Sequence, residues 1–234
     1  MIVVASYNIR KAVGTDWRRD PRRILGVLGE INADIVALQE VDRRFGSRES
    51  ALSASFVAAH SGYKAIDFSP RVQSVGWHGN TLLVRKDHEV LHHSALELPA
   101  LEPRGAVLAD IRTPEGTRLR VIGLHLGLVD LWRRRQAQSV LHQLDQLDEV
   151  LPTVIMGDLN QWTTEGGALA HFSEHHQIIA PGPSFHAARP FVSFDRIITT
   201  TDIALVEAGV HRSALSRRGS DHLPIWAKLE VGGS

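Results

Sequence analysis

Cysteine is absent from these 234 residues, which excludes disulfides, zinc–thiolate centres and thiol nucleophiles. There is no excess of either charge: Lys plus Arg and Asp plus Glu each number 26. That counts against a protein that coats nucleic acid by bulk charge. No apolar run approaches the ~20 residues needed to cross a bilayer. The start, MIVVASYNIR, has neither the basic n-region nor the apolar length of a signal peptide. There is no internal repeat, low-complexity tract or long linker. The expectation is therefore one domain over 1–234, cytoplasmic and monomeric, with no stable insertion into a membrane.

What is present is enough apolar sequence, 43%, for a packed core. Residues 2–9 and 33–41 read as buried strands. Asp20-Pro21 opens a helix reaching about Ile31, and 50–60 reads as a second helix. Strands follow around 64–68, 80–85, 89–97, 105–111 and 118–126, with Thr113 to Thr117 (TPEGT) as a hairpin turn. A long helix is expected over 131–150, its apolar face formed by Ala137, Val140, Leu141, Leu144, Leu147 and Val150. Its Arg133-Arg134-Arg135 triplet is expected on the solvent side. A strand over 152–156, a short helix over 166–174 and strands over 191–199, 203–210 and 223–231 complete the pattern. Many strands in mixed order, with helices at intervals, point to two packed sheets with outer helices.

The polar residues fall at the ends of these apolar strands: Asn8, Gln39-Glu40, His125, Asp158, Asn160, Asp195 and Asp221-His222. Each alone would cost several kcal/mol to desolvate, on the order of 2–7, so they are expected to meet. Turn chemistry is the plain alternative for Asn8, for GDLN and for Ser220-Asp221. Oxygen donors without thiols suit Mg²⁺ or Mn²⁺ better than zinc. Two imidazoles beside carboxylates suit proton transfer to and from oxygen. Together these are the components that phosphate ester hydrolysis needs.

The ordered set SYNIR, LQEVD, LHLGL, GDLN, FDRI and SDHLPI resembles the endonuclease/exonuclease/phosphatase superfamily of metal-dependent phosphoesterases. The resemblance implies an α+β fold: a four-layer αββα sandwich of two mostly antiparallel sheets, DNase I-like, with the site where strand ends meet. It implies Mg²⁺ as cofactor, with Mn²⁺ as a substitute. Glu40, Asn8 and Asp221 then match metal-site positions. Asp158 would hold the attacking water while Asn160, two residues on and facing the same side of an extended segment, binds a phosphate oxygen. Asp195 and His222 match an Asp-His pair in which the carboxylate fixes the imidazole. His222 as base and His222 as a cation facing the transition state both stay open. His125 matches the second imidazole, near the phosphate or leaving group.

One departure stands out. The nuclease branch carries an acidic residue supporting that histidine, whereas this chain reads Trp77-His78-Gly79-Asn80. Asn80 looks more like the amide of branches acting on small or lipid phosphoesters, and His125 is left without an obvious partner. EPRGA resembles a segment that brings an arginine, here Arg104, to the phosphate. Arg10-Lys11, Arg43-Arg44, Arg189 and Arg217-Arg218 crowd neighbouring loops, as a basic mouth or merely as soluble loop residues. Trp77, Trp162 and Phe185 lie beside the motifs, where they could stack a base, cradle an acyl chain or close a satellite core, the last being the simplest reading. The tryptophan loops leave a membrane-surface partner open, though no strongly amphipathic basic helix argues for one. The expected activity is Mg²⁺-dependent hydrolysis of a small or lipid-derived phosphodiester or phosphomonoester by water attack at phosphorus. The alternatives are a DNA or RNA nuclease, with nucleic acid as a less favoured partner, and a non-catalytic module binding phosphate ligands.

Overall fold

In the computed structural model, residues 1–42, 50–68, 76–99, 101–102 and 104–232 are described. The Arg43-Arg44 pair lies outside them. The chain opens with strand β1 (Ile2–Asn8), helix α1 (Pro21–Ile31) and strand β2 (Ile35–Gln39). Asp20 caps α1 by accepting from the Arg23 amide, and Pro21 sits in the first turn, where its missing N–H costs nothing. Helix α2 (Ala54–His60), strand β3 (Tyr63–Ala65) and strand β4 (Thr81–Arg85) follow. A second set is β5 (Glu89–Leu96), β6 (Gly105–Arg112), β7 (Arg118–His125), α3 (Asp130–Asp145) and β8 (Thr153–Asp158). Then come α4 (Gly167–Ser173), β9 (His176–Ile179), β10 (Asp195–Thr200), β11 (Ile203–Val210), α5 (Ser216–Gly219) and β12 (Ile225–Val231).

Two six-stranded sheets result, in the orders β11-β12-β1-β2-β4-β3 and β5-β6-β7-β8-β10-β9. Each has one parallel pair at its centre, β1 with β2 and β7 with β8. A helix makes each crossover, as parallel pairing requires. All other pairs are antiparallel. The segment β2-α2-β3-β4 and the segment β8-α4-β9-β10 thus follow the same path, although the sequence shows no repeat.

Val4, Ile35 and Leu82 of one sheet meet Val107, Val121, Met156 and Ile197 of the other in the central layer. Outside the first sheet, Ile24, Leu28 and Val57 of α1 and α2 pack on Tyr7, Val36 and Leu38. Outside the second, Val140 and Phe172 of α3 and α4 pack on Ile122 and Ile155. This is the αββα sandwich that the resemblance implied. Among the described residues no helix is long and apolar enough to cross a membrane.

The long helix stops five residues before its expected end, and Val150 is 95% exposed rather than on the core face. Acidic Asp148 and Glu149 oppose the negative end of a helix dipole. Glu149 is instead drawn off by Arg118, which donates to both its carboxylate oxygens at 2.6 and 2.7 Å, while its carbonyl accepts from Arg120. Arg133 also departs from expectation. It is buried and donates to the carbonyls of Gly127 and Leu128. Strand β10 starts at Asp195 rather than 191, because 191–192 pair with Phe185 in the preceding loop. The edge strand β9, only four residues long, left no alternating pattern to read.

Candidate active site

Strands β1, β2, β7 and β8 end, and β4, β6, β10 and β12 begin, at the same end of the sandwich. The registers Asn8↔Gln39, Gly105↔His125, His125↔Asp158 and Asp195↔Asp158 fix this. The polar strand-end residues are therefore brought together by register rather than by loop folding. Gly157 makes the closest of these approaches: a Cβ there would stand 1.9 Å from the Leu124 carbonyl oxygen.

One oxygen, Asp158 Oδ2, is the meeting point. Asn8 donates its amide N–H to it at 3.0 Å, and the Nε2 atoms of His125 and His222 stand 3.5 and 3.6 Å away. Asp158 and Asp195 face each other on adjacent strands, a placement that two bare carboxylates disfavour. His222 resolves it: Nδ1 donates to Asp195 Oδ2 at 3.0 Å while Nε2 faces Asp158. Burial alone would lower the His222 pKa, but Asp195 and then Asp158 outweigh it and raise the pKa to about 10. Ser184 also donates to Asp195 Oδ2. The Phe185 ring packs against the His222 imidazole at 4.9 Å between centroids, so Phe185 supports the site rather than a separate core.

His125, left without a partner by the sequence, has two. Arg104 Nη1 lies 2.7 Å from its Nε2, and Asp158 Oδ2 lies 3.5 Å from the same nitrogen. Burial, with Arg104 adding to it against the pull of Asp158, brings the His125 pKa down to about 4. At neutral pH the two imidazoles thus carry different charges, His222 protonated and His125 neutral. Glu102 anchors Arg104, accepting from its Nη2 at 3.1 Å and from the Leu128 amide at 3.1 Å.

The remaining residues surround this centre. Glu40 follows β2 in the left-handed region, φ 55°, and pairs with the Lys11 ammonium. Asp221 lies 3.5 Å from Arg10 Nε and accepts from the Ser220 hydroxyl at 3.2 Å. Asn160 does not continue the extended run that would have put it beside Asp158. At φ 51° it turns, its backbone N–H donates to Asp158 Oδ1 at 2.9 Å, and its side chain donates to Leu126 O. Asn80 is fully buried and donates to the carbonyls of Trp77 and Gly105. Trp77 packs on the central core rather than in a satellite core, and Trp162 is 73% exposed.

Sequence reasoning missed Glu102, Ser184, Ser220 and Arg196. Arg196 is a buried guanidinium donating to the Ser193, Asp195 and Thr163 carbonyls, which ties the two loops flanking Asp195 and Asn160 together. Each of the four lies within or beside a motif already singled out (EPRG, FDRI and GSDH) or, for Ser184, in the loop paired with it. Proximity to a motif was the available signal.

Among the described residues, ligand-capable atoms of Asp158, Asp195 and His222 lie within 4.8 Å of one another. The contacts of His222 with Asp195 and Asp158 give this trio the geometry of an acid–base unit as well as that of a metal site. Glu40 and Asp221 are the carboxylates that side-chain cations, Lys11 and Arg10, now neutralise. Asn8, which directs its amide N–H to Asp158, accepts from the Arg10 amide at its own oxygen.

Two mixed sheets sharing one polar end, where an amide and two imidazoles meet around one carboxylate oxygen, fit the phosphoester hydrolase class. The chain belongs to the Endonuclease/Exonuclease/phosphatase family, whose sequence pattern matches residues 5–222. The family's members hydrolyse phosphoester bonds. Similar solved structures include an endonuclease/exonuclease/phosphatase from Bacteroides vulgatus, 20% identical, covering 98% of each chain at a TM-score of 0.80. A mannosyl-6-phosphatase from Bacteroides thetaiotaomicron is 20% identical, covering 98% of this chain and 100% of that one at 0.79. D. rerio TDP2 in complex with a single-strand DNA product is 16% identical, covering 98% and 99% at 0.74. No curated protein matches the sequence.

Proposed function

We propose that this protein is an Mg²⁺-dependent phosphoesterase that hydrolyses a small or lipid-derived phosphoester by water attack at phosphorus. The convergence of Asn8, His125 and His222 on Asp158 Oδ2 is the observation that carries this reading. Asp158, oriented by Asn8, accepts the proton of the attacking water. His222, fixed by Asp195, presents an imidazolium to the charge that builds on phosphorus-bound oxygens. Arg104 binds the phosphate beside neutral His125; its Nε is a buried donor with no partner among the described residues. Asn160 and Asn80 line the phosphate's surroundings. Glu40, Asn8 and Asp221 would hold the Mg²⁺, which supplies charge neutralisation at phosphate and a more acidic water.

The stretch Trp77-His78-Gly79-Asn80 carries an amide where the nuclease branch carries an acid. Arg104 rather than such an acid joins Asp158 at His125, which favours small or lipid-derived esters over nucleic acid. The test is hydrolysis of a chromogenic phosphodiester and its monoester, with Mg²⁺, with EDTA, and for His222→Ala. Turnover that needs Mg²⁺ and falls by ~100-fold or more in the variant is expected, and the diester-to-monoester ratio sorts the substrate. Faster cleavage of single-stranded DNA than of either ester would favour the nuclease. Inactivity on all three with Mg²⁺ and Mn²⁺ would leave a non-catalytic binding module.

A further inference from the structure

The large apolar side chains left exposed are not scattered. Among the described residues, Trp17, Leu101, Leu128, Val129, Trp162 and Phe191 on loops and Leu131 in the first turn of α3 stand at the end of the sheets where the site lies. Among the described residues those elsewhere are Met1 and Val150 at the far end and Leu205 and Val206 on the edge strand β11. Isolated exposed apolar residues need no explanation, but a ring of them around a site does.

Contacts place this collar around the catalytic residues. The Arg10 guanidinium lies 4.5 Å over the Trp17 ring and 3.5 Å from Asp221. The Leu128 amide is held by Glu102, which holds Arg104, which meets His125. Phe191 is bonded through its backbone to Phe185, whose ring packs on His222. Trp162 follows Asn160 by two residues.

Charge at this end is also one-sided. Arg18, Arg19, Arg135, Arg189 and Arg217 are exposed there, against Asp67, Glu97 and Glu165 among the described residues, while Arg134 is paired with Asp130 and Arg218 with Asp16. We infer that the collar docks the protein, site first, on an anionic phospholipid bilayer, with apolar side chains entering the headgroup boundary and arginines meeting lipid phosphates. A single strand of nucleic acid would also meet arginines and aromatic rings, but Leu101, Leu128 and Leu131 offer no face on which a base stacks. The docking needs no hydrolysis; that the lipid-borne phosphoester is then the substrate rests on the reading above.

The full chain is tested by cosedimentation with phosphatidylglycerol-rich vesicles, phosphatidylcholine vesicles and single-stranded DNA, with tryptophan emission as a second readout. The comparison variant carries Leu101→Ser, Leu128→Ser and Phe191→Ser. Expected are binding to the anionic vesicles about tenfold or more tighter than to phosphatidylcholine, an emission blue shift, and a loss of about tenfold or more in the variant. The variant should hydrolyse a soluble chromogenic ester as the parent does. Equal vesicle binding by parent and variant, or binding to DNA alone, overturns the docking. So does loss of soluble-ester hydrolysis in the variant, which would make the collar part of the substrate pocket. Vesicle binding by a parent inactive on every ester would leave the docking standing and sink the phosphoesterase reading.

Discussion

Nδ1 of His222 donates to Asp195 Oδ2 at 3.0 Å, across 27 residues of sequence. The second carboxylate, Asp158, stands 3.6 Å from the other ring nitrogen. An imidazole between two opposed carboxylates is held as a cation, and several properties of the protein depend on it.

The two histidines should give stability opposite pH limbs. His222 is raised from 6.5 to about 10, so its contribution is complete below pH 6.5 and lost as pH climbs through 10. His125 is depressed from 6.5 to about 4, so its contribution is complete above 6.5 and lost as pH falls through 4. Thermal melts in EDTA should show the alkaline limb flattened in His222→Asn and the acid limb flattened in His125→Asn. Unchanged limbs in both variants would show that other groups dominate.

Replacing Gly157 by alanine drives a Cβ to 1.9 Å from the Leu124 carbonyl oxygen, backbone that has no rotamer through which to yield. A loss of at least about 2 kcal/mol is expected, read from denaturant midpoints. The same strands set Asp158 opposite His125, so activity should fall further than stability alone accounts for. A fully active, fully stable Gly157→Ala protein would contradict the register described.

Glu102→Gln weakens the anchor of Arg104 while leaving shape and the bond to the Leu128 amide in place. Its expected signature is a KM raised about tenfold, the equivalent of ~1.4 kcal/mol, with kcat changed little. A collapse of kcat at constant KM would instead assign Arg104 to the transition state.

Glu40→Gln removes one charge from the oxygen-donor set without emptying the space. The Mg²⁺ concentration for half-maximal activity should rise by about tenfold or more, and Mn²⁺ affinity, followed by electron paramagnetic resonance, should fall in parallel. Unaltered Mn²⁺ binding would move the metal away from Glu40, towards Asp158 and Asp195.

The sequence by itself determined where the strands end and that polar residues sit at those ends. Alternation and apolar runs are local signals, and an amide or acid closing a buried strand is visible in one dimension. Helix α1 is equally local, capped by Asp20 and opened by Pro21. Tertiary structure alone decided the rest. The end of α3 was set by Arg118 reaching Glu149 across 31 residues. The charge state of His125 was set by its burial in the packed site, with Arg104, 21 residues away, adding to it. Asn160 left the extended run because its own backbone N–H found the Asp158 carboxylate. The repeated path of β2-α2-β3-β4 and β8-α4-β9-β10 left no trace in the residues, since packing constrains volume and polarity more than identity. Beyond its tryptophan loops the exposed collar was also hidden, because an apolar loop residue reads as core until the fold leaves it nothing to pack against.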